Sequence, residues 1–286
     1  MNTIAFLSMD DLEGYVSDDE LTYAPLQKLG WNVEAVSWRN KAAHWERYAA
    51  VIVRTTWDYQ KDLPAFLETL SEIERKTRLA NPLQTIRWNA DKVYMRPLEE
   101  RGAKLVPTLW SDNIASEQQV REWFDTLRAD EIIIKPTISA GAEDTFWLSP
   151  NSPEISELAS VFANRSFMVQ PFLRSILKEG EYSLFYFSGI YSHAVIKVPK
   201  PNDFRVQEEH GGDIQPFMAT TELLNAGEAI LRLLGEVPLY ARIDFIRDAS
   251  GHLALMELEL IEPSLYLRMN EKAPRQFAQA IHAWLL

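Results

Sequence analysis

Two short runs carry most of the candidate chemistry in this sequence. Arg242-Ile243-Asp244 lies inside an apolar stretch over residues 240–246, and Glu257-Leu258-Glu259 lies inside residues 253–260. Asp248-Ala249-Ser250-Gly251 between them is turn chemistry, so the two runs read as a β-hairpin. Side chains alternate faces along a strand. Arg242 and Asp244 therefore share one face. On the partner strand Leu255, Glu257 and Glu259 share a face, with Met256, Leu258 and Leu260 behind. In the simplest antiparallel register, centred between Ser250 and Gly251, Asp244 faces Glu257 and Arg242 faces Glu259. Directly opposed like charges destabilise a sheet, and one arginine does not satisfy three acids. A hard cation would: magnesium takes oxygen ligands, keeps waters and is usually shared with phosphates. A solvated polar sheet face shows the same pattern, and a bulge would shift it by one residue. The hairpin alone leaves these readings open.

Lys135 closes the apolar run Ile132-Ile133-Ile134 just before Pro136, and Lys197 closes Ala194-Val195-Ile196. A lysine at a strand end is either a snorkelling surface residue or a compact charge aimed into a cleft. Two such lysines with magnesium would neutralise a triphosphate. That matters because the chain has only 11 glycines and neither a Walker-type loop nor a dinucleotide fingerprint. A nucleotide would have to be held by side chains. Val169-Gln170-Pro171-Phe172-Leu173 reads as a strand breaking at Pro171. It would either offer its backbone to an adenine edge, with Phe172 or Leu173 on the base, or simply connect two units. Glu181, after Gly180, is a candidate for ribose hydroxyls.

The positioning elements follow from periodicity. Strands are expected over residues 4–7, 33–36 and 50–53, with helices over 20–29 and 66–73, a βαβ rhythm that implies a small parallel sheet. A helix over residues 88–100 ends at Gly102. Val120, Trp123, Phe124 and Leu127 mark an amphipathic helix, followed by strands over 132–135 and 167–170 with a helix over 156–162 between them. Residues 137–142 are small and hydroxylated and read as a loop. Residues 182–187 and 191–198 form a hairpin around Ser188-Gly189, and 223–234 is a helix. Phe277, Ile281, Trp284 and Leu285 mark a last helix with one face on a core.

Composition limits the function classes. Lys plus Arg is 29 against 41 Asp plus Glu, a net charge of -12, which argues against nucleic acid as the main partner. There is no cysteine, so disulfides, thiol catalysis and Cys-ligated zinc are excluded. The five histidines, His44, His193, His210, His252 and His282, show no ligand spacing. The apolar start over residues 4–7 runs into Asp10 and Asp11, too short and acidic for a signal peptide. No apolar run approaches the roughly 20 residues that span a bilayer. The expectation is a cytoplasmic chain with no membrane partner.

Asp91-Lys92, Ile134-Lys135-Pro136, Val169 to Leu173, Gly180-Glu181, Lys197, Arg242-Ile243-Asp244 and Glu257-Leu258-Glu259 occur in an order and at spacings that resemble the ATP-grasp superfamily. The resemblance implies an α/β and α+β chain: an ATP-grasp fold with an N-terminal Rossmann-like domain over 1–88. A smaller ATP-grasp subdomain with its linker helix would follow over 89–172, and a C-terminal subdomain with the metal site over 173–286. It implies ATP contacts from Lys92, Lys135, Gln170, Pro171, Phe172, Leu173, Glu181 and Lys197. Asp244, Glu257 and Glu259 would bind two magnesium ions, with manganese as a substitute, and Arg242 and Lys197 would act in catalysis. Glu259 departs from the usual Glu-x-Asn metal motif, and Ile261-Glu262-Pro263-Ser264 departs from the usual Asn-x-x-Pro-Gly, which leaves the substrate-facing loop open.

A finer resemblance is to the branch of the cyclo-ligase of D-cycloserine biosynthesis. It rests on Val53-Arg54-Thr55-Thr56-Trp57-Asp58-Tyr59, on Asn81-Pro82 with Trp88-Asn89, Asp91-Lys92 and Tyr94, and on residues 257–265. It implies an ATP-dependent carboxylate–amine ligase working through an acyl phosphate, needing no enzyme nucleophile. The partners would be a small carboxylate, a small amine and, as an option, a second copy of the chain. Arg54, at the carboxyl end of a parallel strand, Asp58, Arg205 and Arg268 are the substrate candidates. A kinase acting on a small-molecule hydroxyl, or a non-catalytic ATP-binding protein, are the other readings of the same motifs.

Overall fold

The structure is a computed structural model and describes residues 2–286. The βαβ rhythm of the first eighty residues produces β1 (Asn2–Ser8), β2 (Trp31–Ser37), β3 (Ala50–Thr55) and β4 (Arg78–Ala80). They pair in parallel in the order β2-β1-β3-β4. The helix Leu63–Lys76 starts where the Asp62 side chain accepts the Ala65 N–H at 3.2 Å, and it buries Phe66, Leu70 and Ile73 against this sheet.

The middle of the chain contributes β5 (Leu109–Ser111), β6 (Ile132–Pro136), β7 (Phe146–Leu148) and β8 (Phe167–Pro171), antiparallel in the order β5-β8-β6-β7. The helix Glu117–Leu127, capped by Ser116, buries Val120, Trp123 and Phe124 on it. The last third contributes β9 (Glu181–Phe187), β10 (Ile190–Val198), β11 (Asp213–Phe217), β12 (Tyr240–Arg247) and β13 (Leu253–Glu259), antiparallel in the order β11-β10-β9-β12-β13. The helix Ala273–Leu285 closes the chain. Its Phe277 and Ile281 join one core with Ile4, Phe6 and Ile52 of the first sheet and Phe185 and Phe187 of the last. The first and last sheets therefore share apolar packing rather than touching at a polar hinge.

Three sequence expectations are corrected. The helix expected over residues 88–100 is two helices, Leu83–Asn89 and Met95–Glu100, joined by a 3-10 turn at Lys92–Tyr94. Asp91 accepts the Val93 N–H at 3.1 Å, a local bond that competes with helix continuation, and Thr137 C=O takes the Lys92 N–H at 2.9 Å. The break turns Lys92 toward the interior. The helix expected over 156–162 is likewise a 3-10 turn, Pro153–Ser156, and a short helix, Leu158–Val161. In the hairpin, Arg242 opposes Glu259 and Asp244 opposes Glu257 as expected, but Phe245 opposes Leu255. Met256 is the extra residue of a bulge. It carries Met256 to the face of the acids and sends Leu255 into the core beside Ile243 and Leu258.

β13 is an edge strand, and the chain beyond it runs inward rather than to the surface. Its backbone groups are paired by side chains from distant elements. The Tyr94 hydroxyl donates to Leu258 C=O at 2.9 Å and accepts its N–H at 2.8 Å. Asn89 donates to Leu258 C=O and accepts from Leu260 N–H, both at 2.8 Å. Asn81 donates to Leu260 C=O at 2.7 Å and Tyr240 C=O at 3.1 Å, and accepts the Leu239 N–H at 2.7 Å. The Tyr240 hydroxyl reaches Ile261 C=O at 2.8 Å, Trp57 Nε1 donates to Glu262 C=O at 2.8 Å, and Arg54 donates to Pro263 C=O at 3.1 Å. A buried group that loses its partner costs about 1–3 kcal/mol. Asn81→Ala strands more than one such group and is expected to lower the unfolding free energy by at least about 2 kcal/mol. A denaturant midpoint equal to that of the unsubstituted chain contradicts this.

Candidate active site

A cavity of about 480 Å³ opens where the three sheets meet. Its floor is the bulged hairpin, which presents Arg242, Asp244, Met256, Glu257 and Glu259. Lys135 enters from the end of β6, Lys197 from the end of β10, and Lys92 from the 3-10 turn. Gly180 allows the close approach beside Lys197: its φ is +92° and a Cβ there would stand 2.6 Å from the Lys197 carbonyl.

One end of the cavity is apolar. Phe172 and Leu173 pack with Val106, Ile176, Ile246 and Met256, and Phe172 stacks on Trp147 with centroids 4.2 Å apart. Gln170 donates to Thr108 Oγ1 at 3.0 Å. Phe172 N–H is engaged by Glu131 C=O at 2.9 Å. The backbone at Pro171 is thus partly engaged rather than wholly free. Trp57, Tyr59, Gln60 and Tyr15 from the first unit and Arg205 from the loop after β10 also line the cavity.

The charges form a linked set. Arg242 pairs with Asp244 at 2.9 Å and with Glu259. Lys197 pairs with Glu181 and lies 3.5 Å from Asp244, which also accepts the Ser183 hydroxyl at 2.6 Å. Lys92 lies 3.2 Å from Glu257 and donates to Ser139 C=O at 2.8 Å. Burial opposes ionisation of Asp244, but Arg242, Lys197 and Ser183 outweigh it and hold the carboxyl below its usual range. Glu257 is held low in the same way, by Lys92 and Lys135 against burial. Burial depresses Lys135, whereas Asp244 and Glu181 overcome it at Lys197 and hold that ammonium above its usual range. Glu259 goes the other way: burial outweighs Arg242 and pushes it up to about 7.

All twelve residues assigned by resemblance to ATP, metal or catalysis line this cavity, as does Arg205, which is tied to Asp203 at 2.8 Å. Three substrate candidates do not. Arg54 is 1% exposed and held between Asp19, at 3.0 Å, and the Pro263 carbonyl, with its Nη1 buried and without a partner among the described residues. Asp58 is engaged by Arg39 and by Trp38 Nε1 at 2.8 Å. Arg268 does not line the cavity; it bridges Asp18 and the lining residue Glu208, at 3.0 and 2.7 Å. The acids are also not a finished metal cage. Among the described residues no three His, Cys, Asp or Glu side chains are grouped to hold an ion, and Arg242, Lys92 and Lys197 are paired with Asp244, Glu257 and Glu259. Sequence reasoning missed Val106, Ile176 and Ile246 in the apolar slot, Met256, which only the bulge exposes, and Glu262 as a wall residue.

Residues 4–81 match the family model of the D-cycloserine synthetase DcsG N-terminal domain, and residues 103–264 match that of the prokaryotic glutathione synthetase ATP-grasp domain. The cycloserine biosynthesis protein DcsG of Streptomyces lavendulae is 32% identical over 272 residues, 88% of this chain and 89% of its own. A crystal structure of D-cycloserine synthetase DcsG aligns with a TM-score of 0.88 and 25% identity over 100% of both chains. The ATP-grasp ligase PsnB, solved with a phosphomimetic precursor variant, Mg and ADP, aligns over 99% of this chain and 98% of its own. With a TM-score of 0.69 and 14% identity, it shares the fold.

The raised Glu259 carboxyl links stability to pH. It keeps its proton in the folded chain where the unfolded chain, with an ordinary value of 4.5, has lost it. The stability it contributes is complete below about pH 4.5 and is lost as the pH rises through about 7. Between about pH 5 and about pH 8 the Tm of the ligand-free protein is expected to fall relative to that of Glu259→Gln. A difference that does not change with pH, or changes in the opposite sense, contradicts the assignment.

Proposed function

This chain belongs to the ATP-grasp ligases, in the branch of D-cycloserine synthetase, and on that premise we propose that it activates the carboxylate of a small amino-acid-like substrate with ATP and joins it to an amine. The observation that carries this reading is the convergence of Lys92, Lys135 and Lys197, from three separate elements, on the acid-bearing hairpin. A carboxylate approaching a triphosphate is an anion approaching a polyanion, and fixed cations are what such a reaction needs.

In this reading the adenine lies in the slot formed by Phe172, Leu173, Val106, Ile176, Ile246 and Met256, with Gln170 and Pro171 at its edge. Glu181 faces the ribose and the three lysines face the phosphates. ATP-grasp ligases use ATP and magnesium, and the donor set here fits that ion: hard carboxylate oxygens from Asp244, Glu257 and Glu259 with an excess of buried negative charge. Asp244, Glu257 and Glu259 would hold the ions, two magnesium or manganese, and the bound metal would supply charge neutralisation at the phosphates. Incoming phosphates would draw Lys92 and Lys197 off the acids and free those oxygens for metal. The substrate carboxylate oxygen then bonds to the γ-phosphorus as the bond to ADP breaks. The amine nitrogen next attacks the acyl carbon, loses a proton, and phosphate leaves. Arg242, held by Asp244 and Glu259 on the floor, faces the oxyanion of that second step. The same distribution supports dividing the chain at 88 and 172, since each piece supplies one sheet.

The likeness to D-cycloserine synthetase favours a serine-like substrate and an intramolecular closure. Small amino acids and their O-substituted derivatives should release ADP with this protein and magnesium. Hydroxylamine should trap the activated acid as a hydroxamate, which a hydroxyl kinase would not yield. Glu257→Gln is expected to lower turnover by at least about 10²-fold with the fold retained. Lys135→Ala is expected to weaken binding of a non-hydrolysable ATP analogue by about 1–3 kcal/mol. ADP release without hydroxamate across the panel, or full turnover in a folded Glu257→Gln, would sink the proposal.

A further inference from the structure

Glu262 stands apart from the other acids of this protein. Five acids are buried among the described residues: Asp19, Glu181, Asp203, Asp244 and Glu262. Four of them pair with Arg54, Lys197, Arg205 and Arg242. Glu262 is 9% exposed, and among the described residues its carboxylate has neither a cation within salt-bridge distance nor a hydrogen-bond donor. Its backbone is fixed, because Trp57 Nε1 holds its carbonyl and Arg54 holds that of Pro263. Its side chain lines the cavity. An unpaired buried carboxylate costs several kcal/mol, and nothing in the packing around it requires a charged group.

We propose that Glu262 receives the ammonium group of the substrate. This rests on the ligase reading above and names the group that the enzyme would recognise. The neighbouring wall fits an organic cation. Trp57 and Tyr59 line the cavity from the same turn, and aromatic rings attract ammonium cations. Gln60, next in that turn, also lines the cavity. Magnesium dehydrates reluctantly and collects oxygens and phosphates, which the hairpin floor offers and this aromatic wall does not. Glu262 follows Glu259 by three residues, and each lies within Coulombic reach of the other. An α-ammonium held at Glu262 would therefore place the carboxylate, two bonds away, toward Arg242 and the phosphates. In the ligand-free chain burial, with Glu259 and Glu257 near, pushes the Glu262 carboxyl well above its usual range; a bound ammonium favours the ionised form instead.

Calorimetric titration of the protein loaded with magnesium and a non-hydrolysable ATP analogue tests this. The probes are D-serine and L-serine against 3-hydroxypropanoate, and D-cycloserine against isoxazolidin-3-one, each pair differing by the amine. At least one amino member should bind at least about tenfold more tightly than its partner. Glu262→Gln should erase that preference while nucleotide and manganese affinities stay unchanged. Glu262→Asp, which keeps the charge, should retain part of the preference and serves if the Gln variant does not fold. The assignment is overturned if the unsubstituted protein shows no preference in either pair, or if Glu262→Gln keeps it. It is also overturned if Glu262→Gln loses manganese as Glu257→Gln does, which would make Glu262 a metal ligand. Failure of the ligase reading shows up elsewhere, as no ADP release and no hydroxamate from the unsubstituted protein.

Discussion

The organisation of this protein depends on a backbone segment that has to carry acids into the interior without leaving its own peptide groups unpaired. Residues 257–265 leave the edge of the last sheet and run between units instead of out to water. Buried carbonyls and amides there need partners, and no neighbouring strand supplies them. The partners are side chains: Tyr94 and Asn89 for Leu258, Asn81 for Leu260, Tyr240 for Ile261, Trp57 for Glu262, Arg54 for Pro263, and His193 Nε2 for Leu265 at 3.0 Å. These come from every part of the chain, so the segment is held from all sides. The residues that mark the branch in sequence, such as Asn81, Asn89, Tyr94, Trp57 and Arg54, are largely this set of clamps. Among them only Arg54 reads as a substrate residue in the sequence, because it is a cation at the end of a parallel strand.

The second constraint is charge. The floor and walls gather more carboxylates than fixed cations, and the ligand-free chain meets the excess in two ways. Arg242, Lys92 and Lys197 are shared among Asp244, Glu181, Glu257 and Glu259. Glu259, which shares Arg242 with Asp244, and Glu262, which has no partner among the described residues, move toward the protonated form. Such a set is stable but not at rest with respect to ligands. In the proposed reading phosphates would compete for the lysines, metal ions for the acids, and a substrate ammonium for Glu262, and each arrival would improve the balance for the next.

Much of this was legible in the sequence. The hairpin register at Arg242 and Asp244 follows from the alternation of strand side chains and a single turn, both local properties. The parallel first sheet follows from its βαβ rhythm, and the lysines at strand ends follow from apolar runs that stop at a charge. The absence of cysteine and of a glycine-rich phosphate loop narrowed the chemistry before any fold was known. Tertiary structure decided what local rules cannot reach. The bulge at Met256 swaps Leu255 for Met256 at the site. The break at Asp91 combines a local bond to Val93 N–H with one from Lys92 N–H to Thr137, which is distant in sequence. Whether an arginine at a strand end faces a ligand or a carbonyl depends on what crosses above it. For Arg54 that is Asp19 on one side and Pro263, 209 residues away, on the other. An acid without a partner, such as Glu262, is invisible in a sequence, because being unpaired is a relation to every other side chain in the fold.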